Sequence, residues 1–398
     1  MVFEILGLPA ENRAARVKQL ADLGFIWADL GDEAYWLDQL VGIEESVYQQ
    51  LLVAGNHLWS IFDKTARFVI GRTDLYEALS IPEVLWEGLN RLAPNAPGRI
   101  SRYARFDFAL SEAGQIKLLE LNADTPTGYV EASIATPWMC EQEGLFSPNV
   151  LMPELLRRAW NEEAPEYAAC IAYGEHAEDT GTIDALVRHS GRSITCIDCL
   201  QIWIDEGMVK DMNNNVIRSM FALYPKEWMG IDDGGEALAF AVEEGNLKLF
   251  NSLHAIILQS KGLQAVIWGL HELEAGFFTE LEHKMIEAYM LPTYNMPVLE
   301  GDYVSKSMFG REGGSVQMFN QSGELEEKDA AGFDTSLYFS RVYQQRADLP
   351  KLQLGGQELH LLTGLFVIDG VPCGLLGRAG GLITGNSSHF VAIGVRRK

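Results

Sequence analysis

The stretch from Arg105 to Asn122, RFDFALSEAGQIKLLELN, constrains the fold more tightly than any other, because its residues sort into two faces of opposite chemistry. Two runs alternate polar and apolar residues with a period of two, the pattern of strands that bury one face. Between them, Glu112-Ala113-Gly114-Gln115 has turn composition and predicts an antiparallel hairpin with Ser111 opposite Ile116. In that register Phe106 faces Leu121 and Phe108 faces Leu119 on an apolar side. Arg105 then faces Asn122, and Asp107 faces Glu120, on the other. Two carboxylates side by side on paired strands repel unless a positive charge joins them.

Two readings of that polar face stand. In one, a divalent cation is held by Asp107, Glu120 and the Asn122 amide oxygen, and Arg105 holds a phosphate oxygen. These are hard oxygen donors, and so small a set leaves room for the waters and phosphates that magnesium keeps. In the other, the face is solvated and Arg105 pairs one of the acids, as on many antiparallel sheets.

The whole chain narrows the function classes. Its 398 residues predict two or three domains, and 47% hydrophobic with 22% charged residues is ordinary for a soluble globular protein. A net charge of −24 argues against a nucleic-acid partner, which needs clustered Lys and Arg, and suits a cationic substrate better. The opening residues lack a basic start followed by a long apolar run, and no later run is long enough to span a membrane, so a cytoplasmic protein is expected. Five scattered cysteines do not form a disulfide framework. Cys196 and Cys199 have redox-motif spacing, but they end a predicted strand instead of opening a helix, which makes them structural.

Along the chain, helical spacing is expected over residues 11 to 24, from about Ile43 to Phe62, and from Pro82 to a stop near Pro94-Asn95-Ala96-Pro97-Gly98. A helix is expected from about Val130, where Glu131 reads as a charge favourable to the helix dipole. From Tyr167 the pattern changes to strand, helix (Asp179 to His189) and strand, an α/β unit. Two helices follow, about His254 to Leu270 and Phe278 to Met290. The last third predicts an antiparallel sheet, with Asp369-Gly370 a strong hairpin turn.

Between two strands of that sheet lies Gly310-Arg311-Glu312-Gly313-Gly314. Three glycines in five residues let a backbone approach phosphates and aim N–H groups at them, and Lys306 leads into the same place. It is not a Walker A loop, because the lysine precedes the glycines and no helix follows. Arg378 follows an apolar strand and precedes Ala379-Gly380-Gly381, a turn able to carry it to a reaction centre.

Arg-Phe-Asp followed by Glu-Leu-Asn-Ala-Asp-Thr-Pro-Thr (120 to 127) resembles the glutathionylspermidine synthase family of ATP-grasp ligases. So do Phe-Ala-Leu-Tyr-Pro-Lys-Glu-Trp-Met (221 to 229), Leu-Pro-Thr-Tyr (291 to 294), Lys-Ser-Met-Phe-Gly-Arg-Glu-Gly-Gly-Ser-Val (306 to 316) and Gly-Asn-Ser-Ser-His-Phe (385 to 390), in the family's order.

The resemblance implies an α+β and α/β chain with the ATP-grasp fold, antiparallel sheets flanked by helices and an inserted pre-ATP-grasp α/β domain. It implies boundaries at 1–164 for a helical lead with the metal hairpin, 165–228 for the insert, and 229–398 for the remainder with the glycine loop. It implies that Asp107, Glu120 and Asn122 bind Mg2+, that Arg105 contacts the reacting phosphoryl group, and that Arg378 neutralises its charge. Lys261, Lys306, Gly310, Gly313 and Gly314 are implied to bind ATP.

The implied activity is an ATP-dependent carboxylate–amine ligase acting through an acyl phosphate. Its partners are a small carboxylate, such as the peptide glutathione, and a polyamine-like amine. Only the synthetase half of the family's bifunctional members is expected. A nucleotide-binding sensor or scaffold without ligase activity, or a ligase for another peptide and amine, stands as the alternative.

Overall fold

The computed structural model describes residues 2–7, 12–31, 33–91, 98–163, 167–311, 313–329, 335 and 337–397, with only the backbone of 163. In it the Arg105–Asn122 stretch forms the hairpin at one edge of an eight-stranded sheet. Across that sheet run Phe3–Leu6, Trp36–Glu44, His389–Arg396, Val371–Gly380, Gln357–Ile368, Tyr103–Leu110 and Ile116–Asn122, with Lys351–Leu354 paired to Gln357–Ile368. Neighbours are antiparallel except Trp36–Glu44 and His389–Arg396, which are parallel.

Both faces of this sheet are covered. The amphipathic Glu45–Val69 helix lays Leu51, Leu58 and Phe62 on the face that carries Phe106, Val391 and Ile393. The Thr136–Glu143 and Met152–Glu163 helices bring Met139 and Trp160 to the other, beside Phe366 and Phe390. Trp36–Glu44 was not foreseen as a strand. Buried on both faces, WLDQLVGIE lacks the alternation that marks a half-exposed strand, and the expected helix start near Ile43 falls instead at Glu45.

The hairpin has the expected pairs Arg105–Asn122, Phe106–Leu121 and Asp107–Glu120. Beyond Asp107 the register shifts by one: Phe108 pairs with Leu118 instead of Leu119, and Leu110, not Ser111, pairs with Ile116. One extra residue on the returning strand is a β-bulge. The Leu119 carbonyl accepts from Lys306 Nζ at 3.1 Å and Gln264 Nε2 at 3.3 Å, so the bulge links this hairpin to its neighbours.

A second sheet is parallel. Ala168–Ala172 pairs with Thr195–Asp198 on one side and Ser219–Ala222 on the other, the Ala177–Ser190 helix makes the crossover, and Lys248–Leu249 extends the edge. The third sheet, Thr293–Tyr294, Arg341–Gln345, Tyr303–Ser307, Gln317–Phe319 and Leu325–Lys328, is antiparallel. The last third therefore builds two sheets where one was expected. The chain leaves the smaller sheet along residues 346–350, ending in Pro350, which has no N–H for a ladder.

The expected turn at Asp369-Gly370 has φ of 52° and 80°, as a type I′ hairpin requires. The helix from Pro82 is a Glu83–Leu85 turn followed by Trp86–Asn90, and its expected stop at 94–97 lies outside the described residues. Among the described residues, no helix is long and apolar enough to cross a membrane.

The two-faced hairpin makes Phe106 the anchor of this edge, its ring centroid 5.7 Å from Phe62, 5.8 Å from Phe108 and 6.4 Å from Trp59. We predict that Phe106→Ala costs about 3–5 kcal/mol in urea unfolding. A loss under about 1 kcal/mol would show that this face is not core.

Candidate active site

The Arg105–Asn122 hairpin and the Tyr303–Phe319 hairpin face one cleft, which Leu119 and Glu120 line from one side and Val304, Lys306 and Met318 from the other. Gly310, Gly313 and Gly314 close one part of it. Strand alternation puts Arg105, Asp107, Glu120 and Asn122 on one face, and there the charges form a chain of contacts. Arg105 donates from Nε to Asp107 Oδ1 at 2.6 Å and from Nη2 to Oδ2 at 2.9 Å, while its Nη1 donates to the Thr127 carbonyl at 2.7 Å. Asn122 Nδ2 donates to both acids, at 3.0 Å to Asp107 and 3.3 Å to Glu120.

Of the second reading, the ion pair is present and the solvation is not. Arg105 does pair an acid, but the face is buried, with Arg105 5% and Asp107 2% exposed. Glu120 takes a different partner, Lys261, at 3.1 Å. Lys261 is not a solvated helical lysine. Its residue stands at the break between the Ala255–Gln259 and Gly262–Glu272 helices, where one continuous helix was expected, and its Nζ also donates to the Gly310 carbonyl at 2.6 Å. Lys306 Nζ donates to Gln344 Oε1 at 2.8 Å beside the bulge carbonyl.

Burial opposes every charge here, and proximity decides which ones persist. Burial acts to raise the Glu120 carboxyl, yet Lys261 and Lys306 hold it down at about 2. Lys306 is pushed down to about 8, chiefly by burial and further by Lys261, with Glu120 and Asp107 opposing. It is a cation whose missing compensation an anionic ligand would supply.

The glycine loop is built differently from the expected N–H cradle. Gly310 N–H bonds Ser307 O at 3.2 Å and Gly314 N–H bonds Arg311 O at 2.7 Å, so these two donors close the loop's own turns. Gly313 has φ of +75°, and a Cβ there would come within 3.0 Å of the Thr384 carbonyl, which explains the glycine. Glu312 lies outside the described residues. Arg311 pins the loop. It donates to both oxygens of Glu227 at 2.9 and 3.0 Å and to Thr125 Oγ1 at 2.7 Å, next to a buried ion pair of Lys226 with Asp124.

Neither periodicity nor turn composition marks Asp124, Lys226, Glu227 or the contacts of Arg311; their signal in the sequence is that each is a charged residue inside one of the family-like segments.

Arg378 also differs from expectation. It stands inside the Val371–Gly380 strand, paired across to Leu362 and Phe390, and not on a mobile turn after it. The ladder runs on through Ala379 to Gly380, the first of the two glycines that suggested a turn. Even so, Arg378 shares a small cavity with Arg105, together with Tyr35, Thr127, Glu131 and Glu178. Glu131 is not a solvated charge at a helix start. It is 2% exposed, opens a π-helical turn at Glu131–Ala135, and its Oε1 accepts from Trp27 Nε1 at 2.9 Å and Tyr35 OH at 3.0 Å.

The cysteine pair carries no comparable chemistry. Cys196 is exposed, and partial desolvation with the neighbouring Asp184 pushes its thiol up to about 12, away from a reactive thiolate.

Comparison with known proteins gives four findings. The model of the glutathionylspermidine synthase preATP-grasp family matches residues 8–396. A Haemophilus influenzae protein provisionally named an acid–amine ligase is 26% identical, over 97% of this chain and 98% of its own. The bifunctional glutathionylspermidine synthetase/amidase of Escherichia coli K12 is 22% identical over 82% of this chain and 54% of its own, so the chain spans about half the length of that relative. A solved structure from Methylobacillus flagellatus KT, provisionally described as a gamma-glutamylcysteine synthetase, superposes with a TM-score of 0.48 at 10% identity, over 84% of this chain and 87% of that one.

The contact of Glu120 with Lys261 makes a prediction opposite to simple carboxylate repulsion. In metal-free protein, Glu120→Gln removes the partner of a buried lysine. It should cost about 1–3 kcal/mol, less than a fully buried pair would because the Glu120 side chain is 26% exposed. Since the folded carboxyl is held at about 2 against 4.5, its contribution is complete above 4.5 and disappears as pH falls toward 2. Acid unfolding of wild type should therefore be steeper than that of the variant across that window. Parallel curves would mean that Glu120 is not held by the lysines.

Proposed function

The chain belongs to the glutathionylspermidine synthase preATP-grasp family, and from that premise we propose that it is an ATP-dependent acid–amine ligase. It joins a small carboxylate to an amine through an acyl phosphate. The supporting observation is the convergence of Arg105, Asp107, Glu120, Asn122, Lys261, Lys306 and the glycine loop at one cleft. Two relatives carry names of the same type, one an acid–amine ligase and one a glutathionylspermidine synthetase.

In this reading ATP lies along the cleft with its base against the apolar wall of Val304, Met318 and Leu349, and its phosphates toward Lys261 and Lys306. The two lysines offset phosphate charge in a site where burial makes that charge expensive. Gly310, Gly313 and Gly314 cover the phosphates by closeness of backbone.

Asp107, Glu120 and Asn122 would hold Mg2+. The donor set fits, for it offers two carboxylates already bridged through one amide, and turning that amide over presents its oxygen to a cation. Among the described residues there is no group of three or more His, Cys, Asp or Glu placed for a metal, so the site is a sparse one of the kind magnesium shares with phosphate and water. When bound, magnesium neutralises the phosphates and fixes their orientation.

Arg105 is held rigidly by its bidentate bond to Asp107 and by Thr127. Three of its N–H groups are used in this way, which leaves two of the guanidinium's five for the reacting phosphoryl oxygens. Arg378, fixed in its strand and bonded to the Gly385 carbonyl at 2.8 Å, stabilises the same charge from across the cavity. Positioning and fixed positive charge supply the catalysis, with no protein nucleophile.

Residues 165–228, part of the parallel sheet, form the inserted domain between the two catalytic segments, 1–164 and 229–398. That sheet continues to Lys248–Leu249. A glutathione-like peptide and a polyamine are the first substrates to test.

The expected result is release of ADP only when a suitable acid and amine are both present, with a product mass equal to their sum less one water. A panel of peptides, amino acids and polyamines read by ADP and mass spectrometry checks this. Arg378→Met should lower the turnover of a productive pair by about 10²–10³-fold with nucleotide affinity unchanged. Nucleotide binding without turnover across the panel would favour the non-catalytic alternative.

A further inference from the structure

The cavity beside Arg105 holds one polar atom that the phosphate chemistry does not use. Glu131 Oε2 is buried and accepts no hydrogen bond, although Oε1 of the same carboxylate accepts two. The neighbouring arginines do not answer it. Arg105 is turned to Asp107 and Thr127, and Arg378 to the Gly385 carbonyl. A buried acceptor left without a donor is costly, and native structures keep one mainly where a ligand or water completes it.

The surroundings are built to hold this carboxylate in place. Trp27 and Tyr35, from a distant part of the chain, clamp Oε1, and the π-helical turn that begins at Glu131 widens the backbone at this point. Such turns are frequent at functional sites. A hydrogen bond from Thr136 Oγ1 to the Glu131 carbonyl at 2.9 Å steadies the turn. Glu178 and Thr182, from the helix that crosses the parallel sheet, line the same cavity.

We propose that Glu131 binds the ammonium group of the amine co-substrate beside the acid's activated carboxyl carbon. The ammonium passes one proton to Oε2, the freed lone pair forms the C–N bond, and the C–O bond to phosphate breaks, the departing phosphate taking the second proton. The proposal rests on the ligase reading above. An ammonium group supplies the N–H donors that Oε2 lacks, with a charge that the carboxylate favours. The amine nitrogen must reach the carbon activated next to Arg105, and Glu131 shares with Arg105 one small cavity. Arg105 and Arg378 then attract the acid and Glu131 the amine within that one cavity.

The test uses the full-length protein and calorimetric titration with spermidine, putrescine and n-butylamine, with and without magnesium and a non-hydrolysable ATP analogue. Glu131→Gln keeps the Oε1 acceptor for Trp27 and Tyr35 but places an NH2 donor at the Oε2 position. It should weaken amine binding about tenfold or more and leave nucleotide affinity within about twofold. Glu131→Asp keeps the charge and withdraws it by one methylene, so it should bind amine with intermediate affinity, and it serves if the Gln variant fails to fold.

Equal amine affinity in wild type and a folded variant would overturn the proposal. So would the absence of binding by all three amines to nucleotide-loaded wild type. If nucleotide itself does not bind, the ligase reading fails, and amine titration of the unloaded proteins still decides the role of Glu131.

Discussion

One buried ammonium ties the two sides of the cleft together. Lys261 Nζ donates to the Gly310 carbonyl of the glycine loop and pairs Glu120 of the Arg105–Asn122 hairpin, and its residue occupies the break between two helices. Loop, hairpin and helix are positioned from a single atom. Because a lysine buried without a partner loses far more in desolvation than one partner alone returns, the arrangement holds only while both contacts persist. Lys306, a second cation close by, raises the local positive charge and is itself driven toward neutrality by burial and by Lys261. These two cations line a cleft whose charge phosphates would balance.

A second set of buried charges stabilises the approach to the cleft. Lys226 with Asp124, and Arg311 with Glu227 and Thr125, join the residues after the hairpin to the glycine loop and to the segment after the parallel sheet. These bonds dock the glycine loop. Burial raises the Glu227 carboxyl while Arg311 opposes the rise, so the clasp is a balanced contact more than a rigid lock.

The hairpin faces were legible because period-two alternation fixes which side each residue takes, and Arg105, Asp107, Glu120 and Asn122 lie together as that rule requires. What alternation does not carry is register, so the bulge at Leu119 went unseen although it turns a carbonyl toward Lys306. The Trp36–Glu44 strand was hidden for the related reason that full burial removes the polar half of the pattern. Glu131 was read as a helix-start charge because its partners, Trp27 and Tyr35, lie about a hundred residues away. Long-range hydrogen bonds of that kind leave no periodic trace. Arg378 lies within a strand although glycines follow it, because the sheet buries Gly380, where a Cβ would collide with Ser388.

The central claim is that Lys261, Lys306 and the hairpin acids form a nucleotide-phosphate site. Titration of the full-length protein with a non-hydrolysable ATP analogue, with magnesium and again with a chelator, addresses it most directly when wild type is compared with Lys306→Met. The account predicts magnesium-dependent binding to wild type and a loss of about tenfold or more in the variant, since one charge-assisted phosphate contact disappears. A wild type that binds no nucleotide, or a folded Lys306→Met protein that binds it equally well, would contradict the account.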